Sequence, residues 1–150
     1  MRAVIQRVSK ASVTIGNDTI SNIKNGMLIF LGIEIKDSKE DSLWLAKKIV
    51  NLRIFADEQG KMNNSIIDID GELIVVSQFT LHAKTKKGNR PSFIKSAIPE
   101  QANSLYMQFK KDLSKFVSKD IFSGHFGTDM KVSLINDGPI TIIIDTKNKE

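Results

Sequence analysis

Residues 70–81, Asp70-Gly71-Glu72-Leu73-Ile74-Val75-Val76-Ser77-Gln78-Phe79-Thr80-Leu81, decide how the chain is read. Asp-Gly is a strong hairpin-turn signal, and the residues after it form a strand rich in β-branched side chains. The apolar run stops at Ser77 and Gln78. Polar groups therefore emerge at the end of a buried element, where a rigid scaffold presents them to a ligand. Upstream, Met27-Leu28-Ile29-Phe30-Leu31-Gly32-Ile33 is a second continuous apolar run of strand length, expected to be buried on both faces.

Working outward, residues 2–23 read as strands broken by a turn at Gly16-Asn17. Ser38 with Asp41 three residues on resembles a capping box. It opens a helix whose apolar face holds Leu43, Leu45, Ala46, Ile49, Val50 and Leu52. Arg53-Ile54-Phe55-Ala56 reads as extended and residues 57–61 as a turn. Pro99 suits the first turn of a second helix, with Ala102, Leu105, Phe109, Leu113 and Phe116 stepping by three and four. Met130, Val132 and Leu134 alternate as a half-buried strand does. Asn136-Asp137-Gly138-Pro139 reads as a turn before a last strand, Ile140 to Asp145, and a frayed tail is expected from Lys147. The expected architecture is a single α+β domain over residues 1–150, with mainly antiparallel sheets forming a barrel-like core and two helices packed against it.

Composition narrows the chemistry. The chain has 150 residues, enough for one real core, and its 41% hydrophobic and 26% charged content excludes global disorder. It has no cysteine, which removes disulfides, thiolate zinc sites and cysteine nucleophiles. His82 and His125 are too far apart to form a helical metal pair, so no metal and no cofactor is expected. No stretch approaches the ~20 apolar residues of a membrane helix, and a cytoplasmic protein with no membrane partner is expected. The net charge is +5, and it is concentrated. Between Leu73 and Pro99 lie Lys84, Lys86, Lys87, Arg90 and Lys95 and no acid, while the rest of the chain is balanced. Such a window attracts polyanions, although a lysine-rich loop also serves solubility alone.

Without a thiol or a metal cluster, Ser77 and Thr80 are the available nucleophiles. Both also fit a plain role in satisfying backbone groups at a strand end. No Gly-x-Ser-x-Gly elbow is present and no acid–histidine pair is assignable. His82 is near Thr80 in sequence, but it is grouped with the basic loop. Gly138-Pro139 is either a simple turn or a point of close backbone approach to a ligand.

Two segments resemble the signature motifs of the D-aminoacyl-tRNA deacylases: Ser77-Gln78-Phe79-Thr80-Leu81 and Asn136-Asp137-Gly138-Pro139-Ile140-Thr141. The opening Met1-Arg2-Ala3-Val4-Ile5-Gln6-Arg7-Val8 is similar to that family's start. So are Gly26-Met27-Leu28-Ile29-Phe30-Leu31-Gly32 and Leu52-Arg53-Ile54-Phe55-Ala56-Asp57. The likeness runs in order to about residue 145.

The resemblance implies an enzyme of translation proofreading. It would hydrolyse the ester joining a D-amino acid to the terminal ribose of tRNA, and some glycyl-tRNA as well. It implies a homodimer with sites at the subunit interface, and a pocket lined by Ser77, Gln78, Phe79 and Thr80. In it, Gly138 and Pro139, joined by a cis bond, reach from one subunit into the other's pocket and block L-amino acids. Phe126 and Met130 correspond to apolar positions near the adenosine and amino-acid pocket, and Arg7 to a residue holding the Gly-Pro pair. The ester is already activated, so orientation, a placed water and oxyanion stabilisation near Phe79-Thr80 suffice, with the ribose 2′-hydroxyl assisting. Lys84, Lys86, Lys87 and Arg90 would then meet acceptor-end phosphates without reading sequence. The rival readings are a non-catalytic nucleic-acid-binding module using the basic loop at residues 82–95, and a small-molecule esterase.

Overall fold

The computed structural model describes residues 1–150. In chain order the elements are β1 (Arg2–Ile15), β2 (Asp18–Ile23), β3 (Gly26–Gly32), α1 (Lys39–Val50), β4 (Phe55–Ala56), β5 (Met62–Asn64), β6 (Glu72–Ser77), a 3₁₀ turn (Phe79–His82), α2 (Pro99–Leu113), β7 (Ile121–Ser123) and β8 (Lys131–Asp145). The long strand β1 organises the rest. One edge pairs antiparallel with β3 over residues 2–8 and with β2 over residues 11–15, and β8 runs antiparallel to it from residue 2 to residue 14. The strand order is β2-β1-β3-β6-β7, with β8 on β1. Ser21 Oγ of β2 donates to the Ser123 carbonyl of β7 at 2.8 Å, so the two ends of this order meet and the sheet nearly closes into a barrel.

The two expected helices are present, but the sheet is mixed rather than mainly antiparallel in detail. The pairings β3–β6 and β6–β7 are parallel. A parallel neighbour requires a crossover, and here the crossovers contain α1 and α2. The Asp70-Gly71 signal marks a real turn, with Asp70 at φ 45° and the Gly71 N–H donating to the Ile66 carbonyl at 3.0 Å. It is not a hairpin, because β6 pairs with the distant β3. Gly26 permits that pairing: a Cβ there would lie 1.9 Å from the Glu72 carbonyl oxygen. The turn expected at residues 136–139 also differs. It is a bulge within the single strand β8, flanked on both sides by pairing to β1.

Strand alternation divides the core. Met27, Ile29 and Leu31 of β3 and Leu73 and Val75 of β6 join the helices in a large cluster that includes Leu45, Ile49, Leu105, Tyr106 and Phe109. Leu28, Ile74 and Val76 point the other way, toward Val8, Ala11, Val13 and Ile23. In β1 the inward parity changes between Val8 and Ala11, where the register to β8 also shifts. Leu43, expected on the apolar face of α1, is 44% exposed.

Polar contacts fix the helices. The capping box is formed: Asp41 accepts from the Ser38 N–H at 2.9 Å, and Ser38 Oγ accepts from the Asp41 N–H at 3.4 Å. Burial pushes the Asp41 pKa up, but hydrogen bonds from Lys147, Thr146 and Ser38 outweigh it and hold it at about 2. Buried Asp112 of α2 accepts from Ser42 of α1 at 2.7 Å, from Gln108 at 2.9 Å and from Lys115 at 2.6 Å. The tail is docked rather than frayed. Lys147 Nζ reaches Asp41 at 2.7 Å, Lys149 Nζ sits 4.2 Å from the centre of the Trp44 ring, and Thr146 Oγ1 accepts from the Met1 amino group, which also contacts Asp37. No helix is long and apolar enough to cross a membrane.

The buried Tyr106 hydroxyl donates to the Val75 carbonyl at 2.8 Å, tying α2 to the strand that ends at Ser77. Burial raises its pKa to about 12, so it stays a neutral donor. Tyr106→Phe removes one of two donors to that carbonyl, which keeps the Gly124 N–H at 3.2 Å. Urea unfolding is expected to show a loss of about 0.5–1.5 kcal/mol, with the far-UV spectrum unchanged.

Candidate active site

The site begins where β6 runs out. Ser77 is the last residue in parallel register with β3, opposite Leu31, and the Gln78 N–H still donates to the Leu31 carbonyl at 2.8 Å. The chain then tightens into the 3₁₀ turn, with the Leu81 N–H returning to the Gln78 carbonyl at 3.2 Å and the Ala83 N–H to the Thr80 carbonyl at 3.0 Å. The N–H groups of Phe79 and Thr80 open this turn, where no carbonyl within it can receive them. Gln78 Nε2 donates to Thr80 Oγ1 at 2.6 Å, and the Phe79 carbonyl accepts from Ser96 Oγ at 3.1 Å. Phe79 is 55% exposed and meets Phe93 edge-on, with ring centroids 4.9 Å apart.

These residues border a cavity of about 720 Å³. Ser77, Gln78 and Phe79 form one wall, Ser96, Ala97 and the start of α2 another, and the loop from Phe126 to Met130 a third. That loop is shaped by Gly127 at φ 75° and by Thr128, whose N–H and Oγ1 both donate to the His125 carbonyl at 3.4 and 2.9 Å. Phe126 leans on Tyr106 with centroids 6.0 Å apart.

The structure brings together Ser77, Gln78, Phe79, Phe126 and Met130 of the expected site residues. Thr80 does not line the cavity and is linked to it through Gln78. His82 is not part of an exposed basic loop. It is 3% exposed, its Nδ1 lies 3.7 Å from Glu34 Oε2, and its Nε2 has no partner. It therefore does not face the Thr80 hydroxyl as a base. Lys84, Lys86, Lys87 and Arg90 are exposed on a loop pinned at its base by paired backbone bonds between Lys84 and Ser92, at 2.8 and 3.0 Å. Its two ends continue into cavity-bordering segments, the 3₁₀ turn and residues 93–97. Sequence reading missed Ile33, Ser96, Ala97, Ala102, Thr128 and Asp129 as lining residues. None lies in a marked motif, although Asp129 adjoins Met130. Asp129 is the one charged side chain on the lining.

Gly138 and Pro139 lie outside this cavity and are exposed. Their peptide bond is cis. Gln6 pairs with Thr141 and Val8 with Asn136, so residues 137–140 bulge out opposite Arg7 alone. The guanidinium of Arg7 holds the bulge from beneath. Nε donates to the Asp137 carbonyl at 3.0 Å and lies 3.2 Å from its carboxylate, while Nη1 donates to the Ile54 carbonyl at 2.7 Å. Asn136 spans the bulge, accepting from the Ile140 N–H and donating to Thr141 Oγ1, both at 3.0 Å. Gly138 is at φ 131°, and a Cβ there would sit 2.9 Å from Ile140 Cγ1 and 3.1 Å from Arg7 Nη2. Only glycine suits that position.

Residues 4–145 match the family model described as D-Tyr-tRNA(Tyr) deacylase. A D-aminoacyl-tRNA deacylase of Bacteroides fragilis (strain YCH46) is 63% identical over 150 residues, covering 100% of both chains. One from Flavobacterium psychrophilum is 59% identical over 150 residues, again covering 100% of both. Among solved structures, that of a protein named "c-Myc DNA Unwinding Element Binding Protein" is 42% identical with a TM-score of 0.92, covering 97% of this chain and 98% of that one. Another, of a probable eukaryotic D-amino acid tRNA deacylase, matches with a TM-score of 0.79 over 95% of this chain and 97% of that one. At 14% identity it shows a shared fold.

Arg7→Ala removes the donors serving two carbonyls beneath the bulge. The expected outcome is a stability loss of about 1–3 kcal/mol by urea unfolding and faster amide exchange at Gly138 and Ile140. Arg7→Lys is expected to rescue little, because an ammonium point charge does not reproduce the planar fork that reaches both carbonyls.

Proposed function

The chain belongs to the D-Tyr-tRNA(Tyr) deacylase family, and we propose from its geometry how it carries out the hydrolysis of D-aminoacyl-tRNA. The family activity makes it a carboxylic ester hydrolase with aminoacyl-tRNA as substrate. Water adds to the ester carbonyl, the bond to the ribose oxygen breaks, and that oxygen takes up a proton. Free D-amino acid and tRNA leave.

The observation that carries this reading is the cavity placed where β6 ends, bordered by Phe79, the residue that opens the 3₁₀ turn. The amides of Phe79 and Thr80 are the donors for the developing oxyanion, since fixed dipoles aimed at nascent charge are the strongest aid to acyl transfer. Thr80 is a positioning residue and not a covalent nucleophile. Its hydroxyl is engaged by Gln78, and the imidazole of His82 is buried against Glu34. The terminal ribose 2′-hydroxyl assists the water, and Phe126 and Met130 pack beside the adenosine.

Chirality is enforced in a homodimer. Gly138 and Pro139 are held rigidly on an exposed bulge, outside the cavity of their own chain. Insertion into a second copy's cavity gives that rigid, exposed placement a use. Ile135 at 49% and Ile143 at 67% exposure on the same strand supply apolar surface for the partner. Exclusion by main-chain atoms rejects an L side chain but not glycine, so glycyl-tRNA is cleaved too. The basic loop at residues 84–90 meets the acceptor-end phosphates. That loop also supports the alternative of a nucleic-acid-binding module, in keeping with the name of the 42% identical protein. A binding module, however, has no need of the cavity.

Matched D-Tyr-tRNA, L-Tyr-tRNA and glycyl-tRNA separate these readings. The expected result is rapid ester loss from the D and glycyl substrates, at least about 100-fold slower loss from the L substrate (~2.7 kcal/mol of discrimination), and a sedimentation mass twice 16.8 kDa. Comparable cleavage of both enantiomers, or an active monomer, overturns the selector. tRNA binding without turnover favours the alternative.

Replacing Lys84, Lys86, Lys87 and Arg90 by alanine is expected to weaken tRNA binding uniformly. It should also flatten the slope of log K against log salt by about one for each phosphate no longer neutralised. An unchanged slope returns the loop to a solubility role.

A further inference from the structure

Lys95 is the fifth cation of the basic window and lies beyond the loop at residues 84–90, on the stretch that returns to the cavity. It is exposed and pairs with no acid. Two residues before it stands half-buried Phe93, whose ring meets the exposed Phe79 ring edge-on at 4.9 Å. Between them, Ile94 is 70% exposed. Hydrogen bonds fix this stretch. The Phe93 carbonyl accepts from the Ser96 N–H at 2.9 Å, Ser96 Oγ donates to the Phe79 carbonyl at 3.1 Å, and the Lys95 carbonyl accepts from the Ile35 N–H at 3.1 Å. An aromatic pair and a free cation are thus held between the basic loop, which closes at Ser92, and the cavity, which Phe79 and Ser96 border.

We propose that Phe79, Phe93 and Lys95 form a subsite for the nucleotide next to the terminal adenosine in the unpaired 3′ end of tRNA. The assignment rests on the reading of the cavity as the aminoacyl pocket, and it adds the path by which the RNA leaves that pocket. A strand with its last nucleoside in the cavity and its paired stem at the basic loop crosses the surface between them. That surface has the two characters a single strand requires, an aromatic face for a base and a positive charge for the backbone. The base stacks on the Phe79–Phe93 pair, and the adjoining phosphate meets Lys95. Every base has a π-face, so stacking tolerates any base. The subsite therefore registers that an unpaired base is present rather than which base it is. It separates an aminoacylated RNA end from a small aminoacyl ester, which offers neither the base nor the phosphate.

The test compares D-Tyr-tRNA with the same molecule lacking only the base next to the terminal adenosine. The unmodified protein is expected to favour the intact substrate about tenfold in kcat/KM, the factor that ~1.4 kcal/mol of stacking represents, with the difference in KM and kcat retained. Phe93→Leu keeps an apolar side chain against Phe79 but not a flat ring. In it the preference falls toward unity, because KM for the intact substrate rises while cleavage of the abasic one is retained. That retained cleavage also reports a folded variant. In Lys95→Ala the slope of log K against log salt for tRNA binding flattens by about 0.7, the amount for one phosphate of a single strand. Equal cleavage of both substrates by the unmodified protein overturns the stacking assignment, whether or not any variant folds. So does a preference that Phe93→Leu leaves unchanged, or an equal loss on both substrates in a variant with the far-UV spectrum of the unmodified protein. An unchanged salt slope in Lys95→Ala overturns the phosphate contact. Each of these leaves the deacylase reading intact. Failure of the unmodified protein to cleave D-Tyr-tRNA at all removes that reading, and the assignment with it.

Discussion

The pairing of β1 with β8 is the constraint on which the molecule depends. The two strands run together from Arg2 opposite Asp145 to Thr14 opposite Lys131, and the ladder is interrupted where residues 137–140 are extruded opposite Arg7. An insertion in a loop would be mobile. The same residues set into a long ladder, clamped on both sides by backbone pairing, are held in place. Arg7 then satisfies the carbonyl groups that the bulge and the neighbouring segment leave free, and Asn136 replaces the missing backbone bonds across the gap. An exposed segment of the chain is thus also a well-supported one.

The cavity is built on a second, independent support. β6 is central, parallel to its neighbours on both edges, and Val75 is fixed from behind by Tyr106 of α2. A strand supported in this way brings Ser77 and Gln78 to a defined place, and the 3₁₀ turn that follows has no carbonyl within it to receive the N–H groups of Phe79 and Thr80. That arrangement suits an ester that is already reactive, for which orientation and dipole placement are the main requirements. The charge pattern is consistent with it, since the excess positive charge lies in the segment between Leu73 and Pro99, whose basic loop continues at both ends into the cavity border.

What could be read from residues alone followed local rules. The capping box at Ser38 and Asp41, the start of α2 at Pro99, the turn at Gly16-Asn17 and the buried run of β3 are each specified by side-chain chemistry within a few positions. Local rules also misled. Asp70-Gly71 makes the tight turn its composition demands, but a turn does not state which strand the chain will pair with next. Asn136 to Pro139 has turn composition and sits inside one strand, because the continuity of β8 comes from β1, more than 120 positions away in the chain. The Lys- and Asn-rich tail has the composition of a frayed end, yet Asp41 and Trp44 hold it.

By itself the sequence determined the number of helices, the apolar runs that become β3 and β6, the concentration of positive charge between Leu73 and Pro99, and the two motifs whose order resembles one enzyme family. These follow from periodicity, composition and short-range chemistry, which are properties of neighbouring residues. Only the tertiary structure decided that β6 lies parallel to β3 and that His82 is buried against Glu34. The folded chain also put Asp129 on the cavity wall and Gly138-Pro139 outside it. Each of those facts depends on which surfaces meet after long segments of chain have crossed over. Steric closure of the sheet settles such contacts collectively, and no single stretch of residues encodes them.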